Sequence, residues 1–355
     1  MASKKEEIIQ RATAEQQKKF SLASFKKKKG FVSTVKFKEQ DWIPLSKAWQ
    51  TVTSLPGIPA GHITILRGHT DTGKTTTLLE CAAACQKKGV LPVLIITEMK
   101  FNWEYAKSMG VQFEEVCDPE TGEVVDYDGF FIFIDRTSLN TIEDVANFIA
   151  NLLDDQAKGR LPYDLCFLWD SVGSVPCEQS VNSNKNNAQW NAGALSTQFG
   201  NYLDQKILLS RKEGQPYTNT MVVINKIWVK PPETFMSSPK VMNKGGEAIA
   251  YDASIIVTYG NIADSGVTKL KAVAGKKEFE WGKRTTISID KNHIGNVTSK
   301  GKIIMTPTGF IDVDDKVVEK YKVAHKDEWV EKLGSSDFKM VEEEEKLEDN
   351  IDYEG

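Results

Sequence analysis

No stretch of the 355-residue chain approaches the roughly 18 consecutive apolar residues that a bilayer span requires. The first 30 residues lack a secretory core, so the expectation is a soluble protein that stays inside the cell and touches no membrane. Cysteine is scarce. Cys81, Cys85, Cys117, Cys166 and Cys177 are odd in number and form no CxxC pair, which argues for reduced thiols rather than a disulfide framework. Four scattered histidines show no metal-ligand spacing, and no internal repeat is visible. With 40% hydrophobic and 26% charged residues the composition is that of an ordinary globular chain.

The net charge of −4 conceals opposite ends. Residues 1–30 carry nine Lys/Arg against three Glu, whereas residues 337–355 carry nine Asp/Glu against two Lys. Charged ends of opposite sign on a near-neutral middle suit interaction tails. The expected organisation is a basic N-terminal helix and linker over 1–40 that serves as a docking arm, a core over 41–315, a short helix over 316–336, and an acidic, disordered tail over 337–355. That tail reads either as a solubilising end or as a DNA mimic lying on basic loops.

What the chain does possess is organised around residues 68–75, Gly-His-Thr-Asp-Thr-Gly-Lys-Thr, which fit G-x-x-x-x-G-K-[ST] at every fixed position. Residues 62–67 before it read as a strand, and residues 76–88 after it as a helix stopped by Gly89. In that setting backbone N–H groups around Gly73, at the positive end of a helix, would surround a β-phosphate. Lys74 would reach the β- and γ-phosphates and the Thr75 hydroxyl would bind Mg²⁺. Gly68, His69, Thr70, Asp71, Thr72, Gly73, Lys74, Thr75 and Thr76 are therefore the expected nucleotide-binding run.

Downstream, the apolar run 92–97 ends on Glu98, and the strand over 163–169 ends on Asp170-Ser171. A hydrophobic strand ending in Asp after a phosphate loop is the usual second half of a nucleoside-triphosphate site, its carboxylate holding the Mg²⁺ water shell. Residues 117–129 suggest a surface hairpin, and 142–156 a helix. The Asn-rich segment 177–195, with Trp190, reads as a long loop too polar to pack. A helix over 196–212 and a strand over 220–225 follow. The loop 226–246 interleaves Lys226, Lys230, Lys240 and Lys244 with Trp228 and Phe235. Cations that meet phosphates and rings that stack on bases suit single-stranded nucleic acid, although an ordinary basic loop would look the same. Strands over 254–259, 269–274, 285–291 and 302–306 suggest an antiparallel extension. The predicted fold class is thus α/β, a mostly parallel twisted sheet with helices on both faces and a β-rich extension.

These motifs, in this order, resemble the RecA family of recombinases over roughly residues 35–313, and within it the bacteriophage branch. The resemblance implies a RecA-like P-loop ATPase core using ATP and Mg²⁺, with Glu98 activating the attacking water and Asn102 and Tyr105 contacting adenine. It gives Asp170 the magnesium role and makes Lys226, where RecA has glutamine, the sensor of the γ-phosphate. Lys291 falls where the family reaches across to a neighbour's ATP, with His293 replacing the second lysine of the pair. Lys185 and Trp190 in the first segment, and Trp228, Lys230, Phe235, Lys240 and Lys244 in the second, become the DNA-binding candidates. The implied function is a DNA-dependent ATPase that forms a homo-oligomeric helical filament on single-stranded DNA and pairs it with homologous duplex DNA. A mediator and a single-strand binding protein would be further partners, in the cytoplasm of a bacterial host. The alternative is a hexameric DNA helicase-type motor with the same core; residues 1–40 are too few for the separate domain such motors carry.

Overall fold

In the computed structural model the described residues are 21–30, 35–185, 187–230, 240–243, 248–261 and 266–344. They fall into two units, the chain up to Glu39 with Lys212–Gly214, and the remainder. In the first unit α1 (Leu22–Lys28) starts at Ser21, whose hydroxyl accepts the Ser24 N–H at 3.3 Å. Lys26, Lys27 and Lys28 form its last turn, where cations suit the negative end of the helix dipole. Residues 1–20, most of the expected N-terminal helix, lie outside the described residues.

The second unit opens with β1 (Trp42–Pro44), α2 (Lys47–Thr53) and β2 (Gly57–Pro59), then β3 (Ile63–Gly68) and α3 (Lys74–Lys88). Next come β4 (Leu91–Ile96), α4 (Trp103–Ser108), β5 (Glu114–Cys117), β6 (Val124–Asp128), β7 (Ile132–Asp135), α5 (Ile142–Ala157) and β8 (Leu165–Val172). After β8 lie α6 (Glu178–Asn182), α7 (Ala188–Leu195), a π-helix over Ser196–Leu203 and α8 (Asp204–Leu209). The chain continues through β9 (Thr220–Lys230), β10 (Lys240–Asn243), α9 (Ala248–Asp252), β11 (Ile255–Tyr259), β12 (Thr268–Ala274) and β13 (Lys277–Asn292). β14 (Lys300–Thr306), β15 (Gly309–Ile311), α10 (Asp315–Leu333) and β16 (Lys339–Glu344) complete it.

One sheet runs β15-β14-β13-β11-β3-β9-β8-β4-β7, with β10 beside β9 and β12 and β16 continuing from β13. From β11 to β7 every neighbour is parallel, and beyond β11 every pairing is antiparallel. The parallel strands are covered on both faces, which is why they read as unbroken apolar runs. Along β4, Leu94 and Ile96 enter one core with α3, while Val93 and Ile95 enter the opposite core with Ile142, Val145 and Ile149 of α5. Side chains of this kind stabilise by about 1.5–3 kcal/mol each when fully buried. A third, smaller core under α10 gathers Trp281, Trp329, Leu333, Ile304 and Leu270. Among the described residues no helix is long and apolar enough to cross a membrane.

Three segments depart from the sequence reading. The polar stretch 177–195 is not a loop, since α6 and α7 occupy most of it. Asn187 caps α7 by accepting the N–H groups of Gln189 and Trp190, so asparagines read as loop formers act as helix starters. The helix predicted over 196–212 is π-helical in its first part. Leu195, Phe199, Leu203 and Ile207 are all buried and recur every four residues. That spacing outruns a 3.6-residue turn, and the wider i→i+5 turn returns the apolar residues to the core. Finally, the acidic tail is ordered at its start. β16 pairs with β12, Arg284 forks onto Glu342 at 2.7 and 2.8 Å, and Lys271 meets Glu343 at 2.6 Å. Cross-strand cations neutralise what composition alone would leave repelling; residues 345–355 lie outside the described residues.

A buried histidine supplies a stability test. His62, just before β3, has Nδ1 2.7 Å from the Ser254 hydroxyl and Nε2 2.8 Å from an Arg211 nitrogen. Burial, and then the charge of Arg211, lowers its pKa from 6.5 to about 4. The unfolded chain therefore takes up this proton first, so the contribution is complete above pH 6.5 and is lost as pH falls towards 4. Denaturant titrations should show roughly 2–3 kcal/mol of stability lost over that window, less what screening removes. His62→Gln should flatten the same part of the curve; an unaltered slope would show that other groups carry it.

Candidate nucleotide and nucleic-acid site

Four strand ends deliver the site. In register, Gly68 of β3 lies beside Lys226 of β9, Ile96 of β4 beside Asp170 of β8, and Asn225 beside Val172. The chain leaves β4 through Thr97 and Glu98, whose N–H groups donate to the Asp170 carbonyl at 2.7 and 3.2 Å. Trp169 Nε1 donates to the Thr97 hydroxyl at 3.0 Å and holds this turn on the sheet.

The phosphate loop requires its two glycines for steric reasons. Gly68 has φ +147°, and a Cβ there would lie 2.2 Å from the Tyr259 carbonyl oxygen. Gly73 has φ +105° and would press a Cβ to 3.0 Å from the Phe310 ring. Both conformations suit glycine alone. Lys74, the first residue of α3, is 6% exposed and donates to the His69 carbonyl and, at 3.4 Å, to the Thr72 hydroxyl. Burial lowers its pKa to about 8, against the upward pull of Asp170 and Glu98.

The Thr75 hydroxyl donates to Asp170 Oδ2 at 2.9 Å. Burial first, and then the charge of Glu98, raises the Asp170 carboxyl to about 6. Glu98 behaves oppositely. Burial would raise it, but the Ser171 hydroxyl, which donates to Oε1, and Lys226, 3.0 Å from the same oxygen, hold it below its ordinary value. Two neighbouring carboxyl groups are thus driven apart, a pattern found where one serves as a base and the other meets a cation.

Beside the loop lies a cavity of about 310 Å³, walled by residues 71–76, Tyr105, residues 280–283 and residues 305–307. The Tyr105 hydroxyl lies 2.6 Å from that of Thr76, and Asn102 caps α4 by accepting the Tyr105 N–H at 3.0 Å. Asn102 therefore orients Tyr105 through the backbone, in addition to any contact of its own. Lys283 reaches in from β13 with Nζ 3.8 Å from both Asp71 and Glu280. Trp281, between Glu280 and Lys283 in β13, turns its ring into the core under α10 instead. A lysine cation held at 3.8 Å from its carboxylates fits a polar, anionic ligand, and the Thr75–Asp170 pair fits a hard divalent cation.

Residues 8–150 match the family model described as the RecA N-terminal domain. Protein RecA from two strains of Ureaplasma parvum serovar 3 is 27% identical over 223 residues, 62% of this chain and 57% of those relatives. The matches support the RecA family. The similarity covers a little over half the length of the RecA proteins it matches.

The residues expected to meet DNA are placed unevenly. Lys185 is exposed just after α6, whereas Trp190 is half-buried against the core on the α5 side of the sheet. Packing of α7 against α5, the π-helix and α9 explains this, and it leaves Trp190 a structural role that its loneliness in a polar stretch did not reveal. Trp228, Lys230 and Lys240 lie on the β9–β10 hairpin, so the second expected loop begins and continues as paired strand. Phe235 and Lys244 lie outside the described residues. α9, which follows this hairpin, packs against α7 and the π-helix. Lys291 donates to the carbonyls of Ala250 and Tyr251 at 3.0 and 2.8 Å, capping α9 within the same chain.

Ser171 and Lys283 were not legible as site residues. Ser171 follows a more conspicuous Asp, and Lys283 sits about 210 residues from the loop it approaches, in a strand whose sequence points only to pairing. Replacing Lys283 by Ala should weaken binding of a nucleoside triphosphate about tenfold, the cost of one charge-assisted contact. Calorimetric titration checks this, and equal affinities for variant and parent would remove Lys283 from the site.

Proposed function

We propose that the protein is an ATP-dependent DNA recombinase of the bacteriophage branch of the RecA family. It assembles as a helical filament on single-stranded DNA, pairs that strand with a homologous duplex and hydrolyses ATP in a DNA-stimulated manner. The observation that carries this reading is the convergence of Lys74, Thr75, Asp170, Glu98 and Lys226 at the ends of adjacent strands, with Lys226 on the strand that runs on into the candidate DNA hairpin.

In this reading the loop over 68–76 cradles the triphosphate, and Lys74 binds its terminal phosphates. Thr75 and Asp170 would hold Mg²⁺, which when bound offsets phosphate charge. Glu98 accepts the proton of the attacking water. Because the same carboxylate is paired with Lys226, a γ-phosphate competes for that lysine, and its capture both releases Glu98 and draws on the end of β9. Lys291 and α9 carry the response from the other side of the hairpin, and in a filament Lys291 is placed to serve a neighbour's nucleotide. Cleavage removes the competing phosphate, so nucleotide state and filament stability rise and fall together. A mediator and a single-strand binding protein, in the cytoplasm of a bacterial host, complete the expected setting.

Glu98→Gln should retain ATP-dependent binding to single-stranded DNA while lowering turnover by about two orders of magnitude or more. Phosphate release and electron microscopy of the same samples test this. Open helical filaments are expected with ATP and single-stranded DNA, and closed rings would favour a helicase-type motor instead. Lys226→Met removes the ammonium that keeps Glu98 ionised, so the acidic limb of the ATPase pH profile should move to higher pH. A limb that stays in place would show that Lys226 does not act on Glu98.

A further inference from the structure

One group of metal-binding side chains among the described residues lies outside the nucleotide site. The thiols of Cys81 and Cys85, one turn apart on the sheet-facing side of α3, converge with that of Cys166 on β8, all three sulfurs lying within 4.8 Å of one another. We infer that this trio is a three-sulfur site for a soft divalent cation of the zinc class, stapling the phosphate-loop helix to the strand that ends at Asp170.

The geometry suits an ion, and it disfavours a disulfide within α3. A cation with bonds of about 2.3 Å to three sulfurs in a trigonal arrangement sets those sulfurs about 4.0 Å apart, and sulfurs all within 4.8 Å of one another need little movement to reach that spacing. A disulfide between Cys81 and Cys85 would have to draw together Cβ atoms that helical geometry keeps about 5–6 Å apart, against the roughly 3.5–4.5 Å a disulfide tolerates. It would also leave the third thiol unmatched.

The chemistry favours a soft ion over a hard one. All three residues are 0% exposed and belong to an apolar cluster with Leu78, Ala82 and Leu168. Magnesium and calcium require oxygen ligands and water, which such surroundings do not supply, whereas sulfur selects ions of the zinc and copper(I) kind. A dry pocket also penalises net charge. Cysteine ligates metal as the thiolate, so binding forms three metal–sulfur bonds and releases three protons to solvent, the divalent ion offsetting two of the three thiolate charges. Since the site is sealed, loading waits on opening between α3 and the sheet.

Cadmium(II) is the probe, because its bonds to sulfur absorb in the ultraviolet. The titration uses full-length protein carrying Cys117→Ser, which removes the exposed thiol. The expected result is one equivalent bound, about three protons released, slower loading than small-molecule thiols show, and a melting temperature raised by several degrees. Cys166→Ala should abolish the absorbance while circular dichroism shows an intact fold; buried cysteine behaves as a small apolar residue, so the exchange is mild. Should that variant fail to fold, Cys85→Ala provides the same test, and Cys177→Ala, at a buried thiol outside the trio, should change nothing. No absorbance at excess cadmium, or an absorbance that survives loss of Cys166 or of Cys85, would overturn the inference.

Discussion

An ammonium group almost sealed from water, with two carboxylates for company, is the constraint around which this molecule is arranged. Lys74 is buried deeply enough to lower its own pKa to about 8, and Asp170 beside it is raised to about 6. Charges so placed are tolerated only where partners are held at fixed positions, and parallel strands whose ends share one edge provide such positions. The two glycines of the loop serve the same end, allowing backbone to approach where any side chain would collide with Tyr259 or Phe310.

Lys226 ties this centre to the rest of the chain. It lies beside Gly68 in the sheet, contacts Glu98, and occupies the strand that continues into the β9–β10 hairpin. The far side of that hairpin returns through α9, whose last carbonyls are held by Lys291 of β13. Both ends of the candidate DNA segment are therefore anchored to strands that reach the candidate site, β9 through Lys226 and β13 through Lys283. A change at the phosphates has a short mechanical route to the hairpin.

The antiparallel wing beyond β11 has two tasks. It presents Lys283 to the cavity, and it carries the Trp281–Trp329 core that seats α10. The first acidic residues of the tail complete its edge, with Glu342 and Glu343 taken up by Arg284 and Lys271. An edge strand bearing charge also resists pairing with another sheet.

The phosphate loop, the buried parallel strands and the carboxylates at their ends were legible because each is a local pattern: fixed glycines, apolar runs of strand length, an acid at the end. Glu98, Lys74, Thr75 and Asp170 were named from sequence and lie together in the fold. What misled were residues whose local chemistry admits two outcomes. The asparagines of 177–195 suit loops and helix caps alike, and packing of Trp190 against the core on the α5 side decided for helix. The acids of 342–344 read as disorder until Arg284 and Lys271, close in space but remote in sequence, supplied their countercharge.

The sequence by itself determined the class of fold, the position of the glycine-rich loop and the identity of the groups gathered beside it, because periodicity and loop chemistry are properties of neighbouring residues. Only the tertiary structure decided that Lys226 pairs with Glu98, that Lys283 reaches the cavity, that Lys291 caps α9, and that Cys166 joins Cys81 and Cys85 in one pocket. Each of those contacts joins strands or helices whose separation along the chain leaves no trace in local pattern, and it is set by sheet order and register.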